Sequence, residues 1–136
     1  MNLVLRVSDH MITDVLTVAP DTEIMRVINL LIEHDISGVL VTDADRTLLG
    51  IVTERDCIAV AIQSGYFDER GGPVSEFMTF PVETVDPNDN LMDVAVRMVS
   101  SPHRRFPVVE NGKLIGLIGR RDVLEVLGKS GWFGSR

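Results

Sequence analysis

Apolar positions along this chain recur in two periods, and the order of those periods occurs twice. Residues 15–18 form a short apolar run stopped by Pro20, which has no N–H for a ladder, and they predict a strand. Ile24, Val27, Ile28, Leu31 and Ile32 then share one helical face, with Asp21 as the expected cap. Runs at 38–42 and 48–52 predict a hairpin, and a second helix is expected to start at Thr53 and carry Cys57, Ile58, Val60 and Ala61. The second pass runs through a strand at 82–85, then a helix with Leu91, Val94, Ala95, Met98 and Val99. A hairpin at 106–109 and 114–118 follows, and a helix from Gly119 with Val123, Leu124, Val126 and Leu127. The stripes of the first helix in each pass read as core faces rather than sites, and Cys57 fills core volume where its counterpart is Val123.

Comparing the chain with itself fixes the phase of the repeat. Val7-Ser8-Asp9-His10-Met11 matches Val74-Ser75-Glu76-Phe77-Met78, and Val15, Thr17, Val18 and Pro20 match Val82, Thr84, Val85 and Pro87. Met25, Val27 and Val41 recur as Met92, Val94 and Val108. One slip of register falls where Ala44-Asp45-Arg46 faces Asn111-Gly112; Asn-Gly is a type I′ hairpin signal, so the length change sits in a turn. Beyond it Leu48, Gly50, Arg55 and Asp56 pair with Leu114, Gly116, Arg121 and Asp122. The chain therefore reads as two motifs, 7–63 and 74–128, joined by a Gly-rich connection at 64–73. A tail at 129–136 holds Trp132 and Phe133, which either dock or fray.

With 136 residues, 45% of them hydrophobic and 24% charged, the chain has the balance of a globular protein with one core. The apolar opening at 1–5 is cut short by Arg6 and Asp9, too brief for a signal or a membrane span, and the cytoplasm is the expected compartment. The single cysteine, Cys57, supports neither an internal disulfide nor a thiolate metal cluster. A net charge of −7 repels polyanions, so neither nucleic acid nor membrane is an expected partner. The charge is uneven: residues 7–62 hold ten acids against Arg26, Arg46 and Arg55, while 74–128 hold eight acids against six bases.

Candidate chemistry gathers at a duplicated strand-to-helix junction, Gly50-Ile51-Val52-Thr53-Glu54-Arg55-Asp56 and Gly116-Leu117-Ile118-Gly119-Arg120-Arg121-Asp122. In each copy the turn residue stands at an N-cap and the aspartate at the third helical position. Free N–H groups, the helix dipole and a neighbouring arginine attract anions. A bland alternative is that Thr53 and Asp56 form a capping pair and nothing more. Catalysis finds little support, because there is no His-Glu-x-x-His, nucleophile elbow or Walker loop. His10, His34 and His103 lack metal-ligand spacing, so no enzyme, metal or catalytic cofactor is expected.

The double pattern of strand, helix, hairpin and Gly-x-x-Thr-x-x-Asp helix start resembles a tandem CBS-domain pair, named after the regulatory region of cystathionine β-synthase. The resemblance covers nearly the whole chain. It implies an α+β fold in which two β-α-β-β-α repeats pack sheet to sheet with pseudo-twofold symmetry, as α/β/β/α layers. Two clefts for adenosine-containing ligands are implied with it. The family's Thr and Asp, which meet phosphate and ribose hydroxyls, fall on Thr53 and Asp56; in the second copy Asp122 matches, and Gly119 stands where Thr would. The segment His103-Arg104-Arg105-Phe106-Pro107-Val108-Val109 matches the family's basic residue before a Pro-Val-Val strand. Its counterpart, Ile36-Ser37-Gly38-Val39-Leu40, has neither base nor proline.

These residue types suit a nucleotide. A carboxylate accepts from both ribose hydroxyls at once, and Val15, Val39, Val82 and Phe106 are expected to supply a flat apolar slot for the purine. Arg55, Arg104, Arg105, Arg120 and Arg121 supply charge for phosphates, with His103 beside them. The two clefts are expected to differ, the first built for ribose and hydroxyl contacts and the second for charge neutralisation. The expected ligands are AMP, ADP or ATP, then S-adenosylmethionine or NAD(H). The expected role is a regulatory, energy-sensing module, a homodimer that signals to an enzyme or transporter. The alternative is a scaffold subunit whose clefts stay empty.

Overall fold

Each pass of the sequence pattern becomes a helix, a hairpin and a second helix in the computed structural model, which describes residues 5–67 and 71–129. Trp132 and Phe133 of the expected tail, and the middle of the expected connection at 68–70, lie outside the described residues.

In the first repeat, β1 (Thr17–Val18) runs parallel to β2 (Gly38–Thr42), which pairs antiparallel with β3 (Leu48–Thr53). The helices α1 (Ile24–His34) and α2 (Glu54–Phe67) pack against each other. α2 thus reaches into the segment expected to be a connection. Its core holds Val18, Ile24, Val27, Leu31, Val39, Val41, Val52, Cys57, Val60 and Val74.

The second repeat gives α3 (Leu91–Ser100), the hairpin β4 (Arg105–Glu110) and β5 (Lys113–Gly119), and α4 (Arg120–Lys129). Asn111 and Gly112 take positive φ of 52° and 79°, the conformation a type I′ turn requires. In the longer first turn the Asp43 side chain accepts from the N–H groups of Asp45 and Thr47, both at 2.9 Å. Its core is Val7, Val85, Leu91, Val94, Met98, Phe106, Val108, Ile118 and Val123.

Four local expectations are corrected. The strand at 15–18 is two residues long, and that at 82–85 shrinks to one parallel bridge between Val85 and Val108. Only Thr17 and Val18 pair with β2, at Leu40 and Val41, so residues 15 and 16 lie outside the ladder. Asp21 does not cap α1: the N-cap is Glu23, without a side-chain cap bond, and its Oε1 accepts from the Gly72 N–H at 2.8 Å instead. In α3 the cap is Asn90, whose side chain accepts from the Met92 N–H at 2.8 Å. Finally, Ile32 and Val99 are not core residues; they are 73% and 89% exposed. Both stand one position past the Leu31 and Met98 that close the buried stripe, where 100° per residue has turned the side chain outward.

The compact units do not coincide with the sequence repeats. One contains residues 16–82, and the other joins 5–15 to 83–129. The opening 3-10 turn of each repeat is built into the unit that carries the other repeat. Val7–Asp9 is held by Val7 N–H to Asp89 O (3.1 Å) and Ser8 N–H to Pro87 O (2.9 Å), and Ile12 exchanges two 2.8 Å bonds with Leu117. Val74–Glu76 is held by Val74 N–H to Thr22 O (2.7 Å) and Ser75 N–H to Pro20 O (3.1 Å), and Thr79 bonds to Ile51 at 2.8 and 3.0 Å.

Two glycines make these close approaches feasible. A Cβ at Gly116 would lie 2.9 Å from the Ile12 carbonyl oxygen and 2.5 Å from Met11 Sδ. At Gly50 it would lie 3.0 Å from the Thr79 carbonyl and 2.7 Å from Met78 Sδ. The methionine ends can swing aside but the hydrogen-bonded carbonyls cannot, so Gly116→Ala and Gly50→Ala are each expected to cost about 1–3 kcal/mol. Denaturant titration measures this, and a cost near zero for both would mean that the segments detach easily.

Candidate functional site

The junction between β3 and α2 is fixed from both sides. Asp56 Oδ2 accepts from the Thr53 N–H at 2.9 Å and from the Thr53 hydroxyl at 3.1 Å, and the Asp56 N–H reaches back to Thr53 Oγ1 at 3.4 Å. This is a reciprocal cap, the bland alternative from the sequence, and it leaves Asp56 Oδ1 accepting nothing from the described residues. The Glu54 N–H donates to Ser37 O at 2.9 Å and ties the helix start to the chain entering β2.

The junction between β5 and α4 repeats this geometry with different chemistry. Asp122 Oδ2 accepts from the Gly119 N–H at 2.8 Å, and Oδ1 again accepts nothing from the described residues. The Arg120 N–H donates to Arg104 O at 3.0 Å, while Arg120 Nη2 donates to Ser101 O at 3.3 Å. Arg104, Arg105, Arg120 and Arg121 are exposed, as is His103, whose N–H donates to Ser101 Oγ at 3.1 Å. Among the described residues Arg121 makes only a 3.7 Å contact with Glu125. Arg55 is exposed at the first junction and has no ion-pair partner among the described residues.

The candidates for a purine slot are placed differently from one another. Val39 is 2% and Phe106 0% exposed, and both side chains belong to the cores; Pro107 is buried too. Val15 and Val82 are half-buried. Val15 belongs to the unit carrying the second repeat and Val82 to the unit carrying the first. Cys57 is buried, and burial first, then the carboxylates of Asp56 and Glu54, push its thiol up. It packs as a small apolar side chain. Among the described residues no group of three or more His, Cys, Asp or Glu is placed to hold a metal, and no helix is long and apolar enough to cross a membrane.

Sequence reasoning missed one cluster. Arg97 Nη2 meets Glu83 Oε2 at 3.1 Å and donates to Thr84 O at 3.0 Å, and the Ser101 hydroxyl donates to Glu83 Oε1 at 3.0 Å. The guanidinium lies 5.1 Å from the centroid of the Phe106 ring. The counterparts of Glu83, Arg97 and Phe106 are Leu16, Leu30 and Val39. Paired gain of opposite charges in one repeat was the legible signal. The Arg97 hydrogen bond holds the Glu83 carboxyl below its usual range, opposed by partial burial and helped by Ser101. A depressed carboxylate stabilises the fold at neutral pH and loses that contribution as pH falls below about 4.5 and through the folded value. Melting scans between pH 6 and 3 should show a shallower acid limb for Glu83→Gln than for the wild type; identical limbs would leave the cluster without a role in acid stability.

A protein-family model described as CBS domain matches residues 7–62 and 74–129. The chain is 30% identical over 126 residues to an uncharacterized protein of Methanocaldococcus jannaschii, which covers 93% of this chain but 44% of that protein, so this chain spans less than half that relative's length. It is 30% identical over 117 residues to the CBS domain-containing protein YhcV of Bacillus subtilis, covering 86% and 81% of the two chains. Among solved structures, CBSX2 from Arabidopsis thaliana, crystallised in complex with AMP, superimposes with a TM-score of 0.81 at 31% identity, over 92% of this chain and 97% of that one.

Proposed function

The chain belongs to the CBS-domain family, with two copies of the domain, and from that premise we propose that it is a non-catalytic regulatory module binding an adenosine-containing ligand, AMP, ADP or ATP. The observation that carries this reading is the carboxylate at each strand-to-helix junction, with one oxygen committed to the cap and the other open. Asp56 and Asp122 accept ribose hydroxyls on Oδ1 while Oδ2 keeps the helix capped, which avoids exchanging fold stability for binding. The arginines around the junctions meet phosphate. AMP in the complex of CBSX2 supports the class of ligand. Binding then biases the populations of the protein's conformations, and a partner enzyme or transporter reads the change, in a cytoplasmic setting.

A ligand that binds only the native state raises the melting temperature. AMP at a hundred times its Kd adds about 2.7 kcal/mol, a shift of roughly 5–10 °C for a chain of this size. Thermal scans with AMP, ADP, ATP, S-adenosylmethionine and NADH test this, and Asp56→Ala together with Asp122→Ala should abolish the shift. A second reading, a scaffold subunit that only assembles, draws on the exposed apolar side chains that recur in both repeats: Ile32 with Val99 and Ile58 with Leu124, all at least 60% exposed. The same faces support a homodimer that also binds ligand. Dimers by sedimentation velocity combined with no thermal shift from any of the five compounds would select the scaffold.

A further inference from the structure

Resting on that reading, we propose that the two repeats sort adenosine ligands by charge: the second-repeat junction takes the phosphorylated ligand, and the first-repeat junction takes an uncharged nucleoside moiety. The two junctions share one backbone geometry, since the Glu54 N–H to Ser37 O bond of 2.9 Å corresponds to the Arg120 N–H to Arg104 O bond of 3.0 Å. What differs is the side chains on that frame. Ser37, Gly38, Glu54, Arg55 and Asp56 carry a formal charge of −1; the equivalent Arg104, Arg105, Arg120, Arg121 and Asp122 carry +3.

Little among the described residues neutralises that excess charge. No acid among the described residues pairs with Arg104, Arg105 or Arg120, and Arg121 has only the long, exposed contact with Glu125. Like charges gathered without partners oppose folding, so stability does not explain them, whereas a dianion or polyanion between them does. The same segment of the first repeat would repel such a ligand through Glu54.

Glycine placement agrees with this division. Arg105 stands opposite Gly119 across the hairpin, and Gly38 stands opposite Thr53. The side chain and the glycine have traded strands between the repeats. A Cβ at Gly119 would lie 3.2 Å from Arg105 Cγ, so the bare N-cap leaves room for the arginine stem to lie over the junction. Gly119 therefore spares the Arg105 stem a tight contact at this place.

The test is calorimetry with adenosine, AMP and ATP on the full chain, with 15N–1H spectra recorded in parallel. The variant is the triple Arg104→Ser, Arg105→Ser, Arg120→Ser. ATP is expected to move the amides of 119–122 at lower concentration than those of 53–56, and adenosine the reverse. The triple variant should lose at least roughly 30-fold in ATP affinity and keep adenosine affinity within about 3-fold; the retained adenosine binding reports that it is folded. Adenosine binding with no gain from phosphates, or ATP affinity unchanged in the variant, overturns charge sorting and leaves the proposed function standing. Failure of all three compounds to bind the wild type removes both.

Discussion

Removal of residues 1–12 is expected to unfold the unit that carries the second repeat, although none of the deleted residues belongs to that repeat. Val7 is fully buried in its core, and Leu5 and Met11 pack against the same cluster. Burial of Val7 alone is worth about 1.5–3 kcal/mol. The segment also takes part in five backbone hydrogen bonds to the second repeat, through Val7, Ser8, Ile12, Leu91 and Leu117 N–H groups. At a net ~1 kcal/mol each, with buried partners then left unpaired, the loss exceeds the ~5 kcal/mol at the lower end of a typical domain's stability. Hydrogen exchange locates the effect: protection should collapse at 85–127 before it changes at 18–60. Equal loss in both stretches, or none in the later one, would contradict the exchanged pairing.

Phe106→Ala should be the most damaging single substitution, at about 3–5 kcal/mol, or roughly 10 °C in melting temperature. Phe106 is the largest of the fully buried side chains, and its ring lies under the Arg97 guanidinium. Truncation empties the centre of the core and leaves Arg97 with only Glu83 and Thr84 to hold it. Val39→Ala, the same truncation in the first repeat, removes far fewer atoms and should cost about 1–2 kcal/mol. A cost for Phe106→Ala below that of Val39→Ala would place the ring outside the load of the core, and would reopen its expected part in a purine slot.

The hairpins were legible to within a residue because two independent signals coincided there. Period-two apolar runs marked the strands, and Asn111-Gly112 marked the turn. The junctions were legible because a cap is local: Thr53 and Asp56, or Gly119 and Asp122, are three residues apart and find each other whatever the rest of the chain does. Helix faces were legible less well. The stripes in α1 and α3 were extended one residue too far, to Ile32 and Val99, since hydrophobicity alone does not say how wide a face the neighbours cover. The Glu83–Arg97 pair went unread because it joins the approach to a sheet with the far turn of a helix.

The duplicated elements, their order, the caps and the unequal charge of the two junctions follow from this sequence alone, because each is set by neighbours a few residues apart. Only the tertiary structure decided which copy each opening segment joins. Val7 and Val74 head matching motifs, and each repeat offers equivalent backbone carbonyls as receiving groups, Asp89 with Pro87 or Thr22 with Pro20. A periodic sequence is degenerate between pairing with its own repeat and pairing with the other. That degeneracy is lifted only when the path of the chain in three dimensions brings one set of carbonyls within hydrogen-bonding reach.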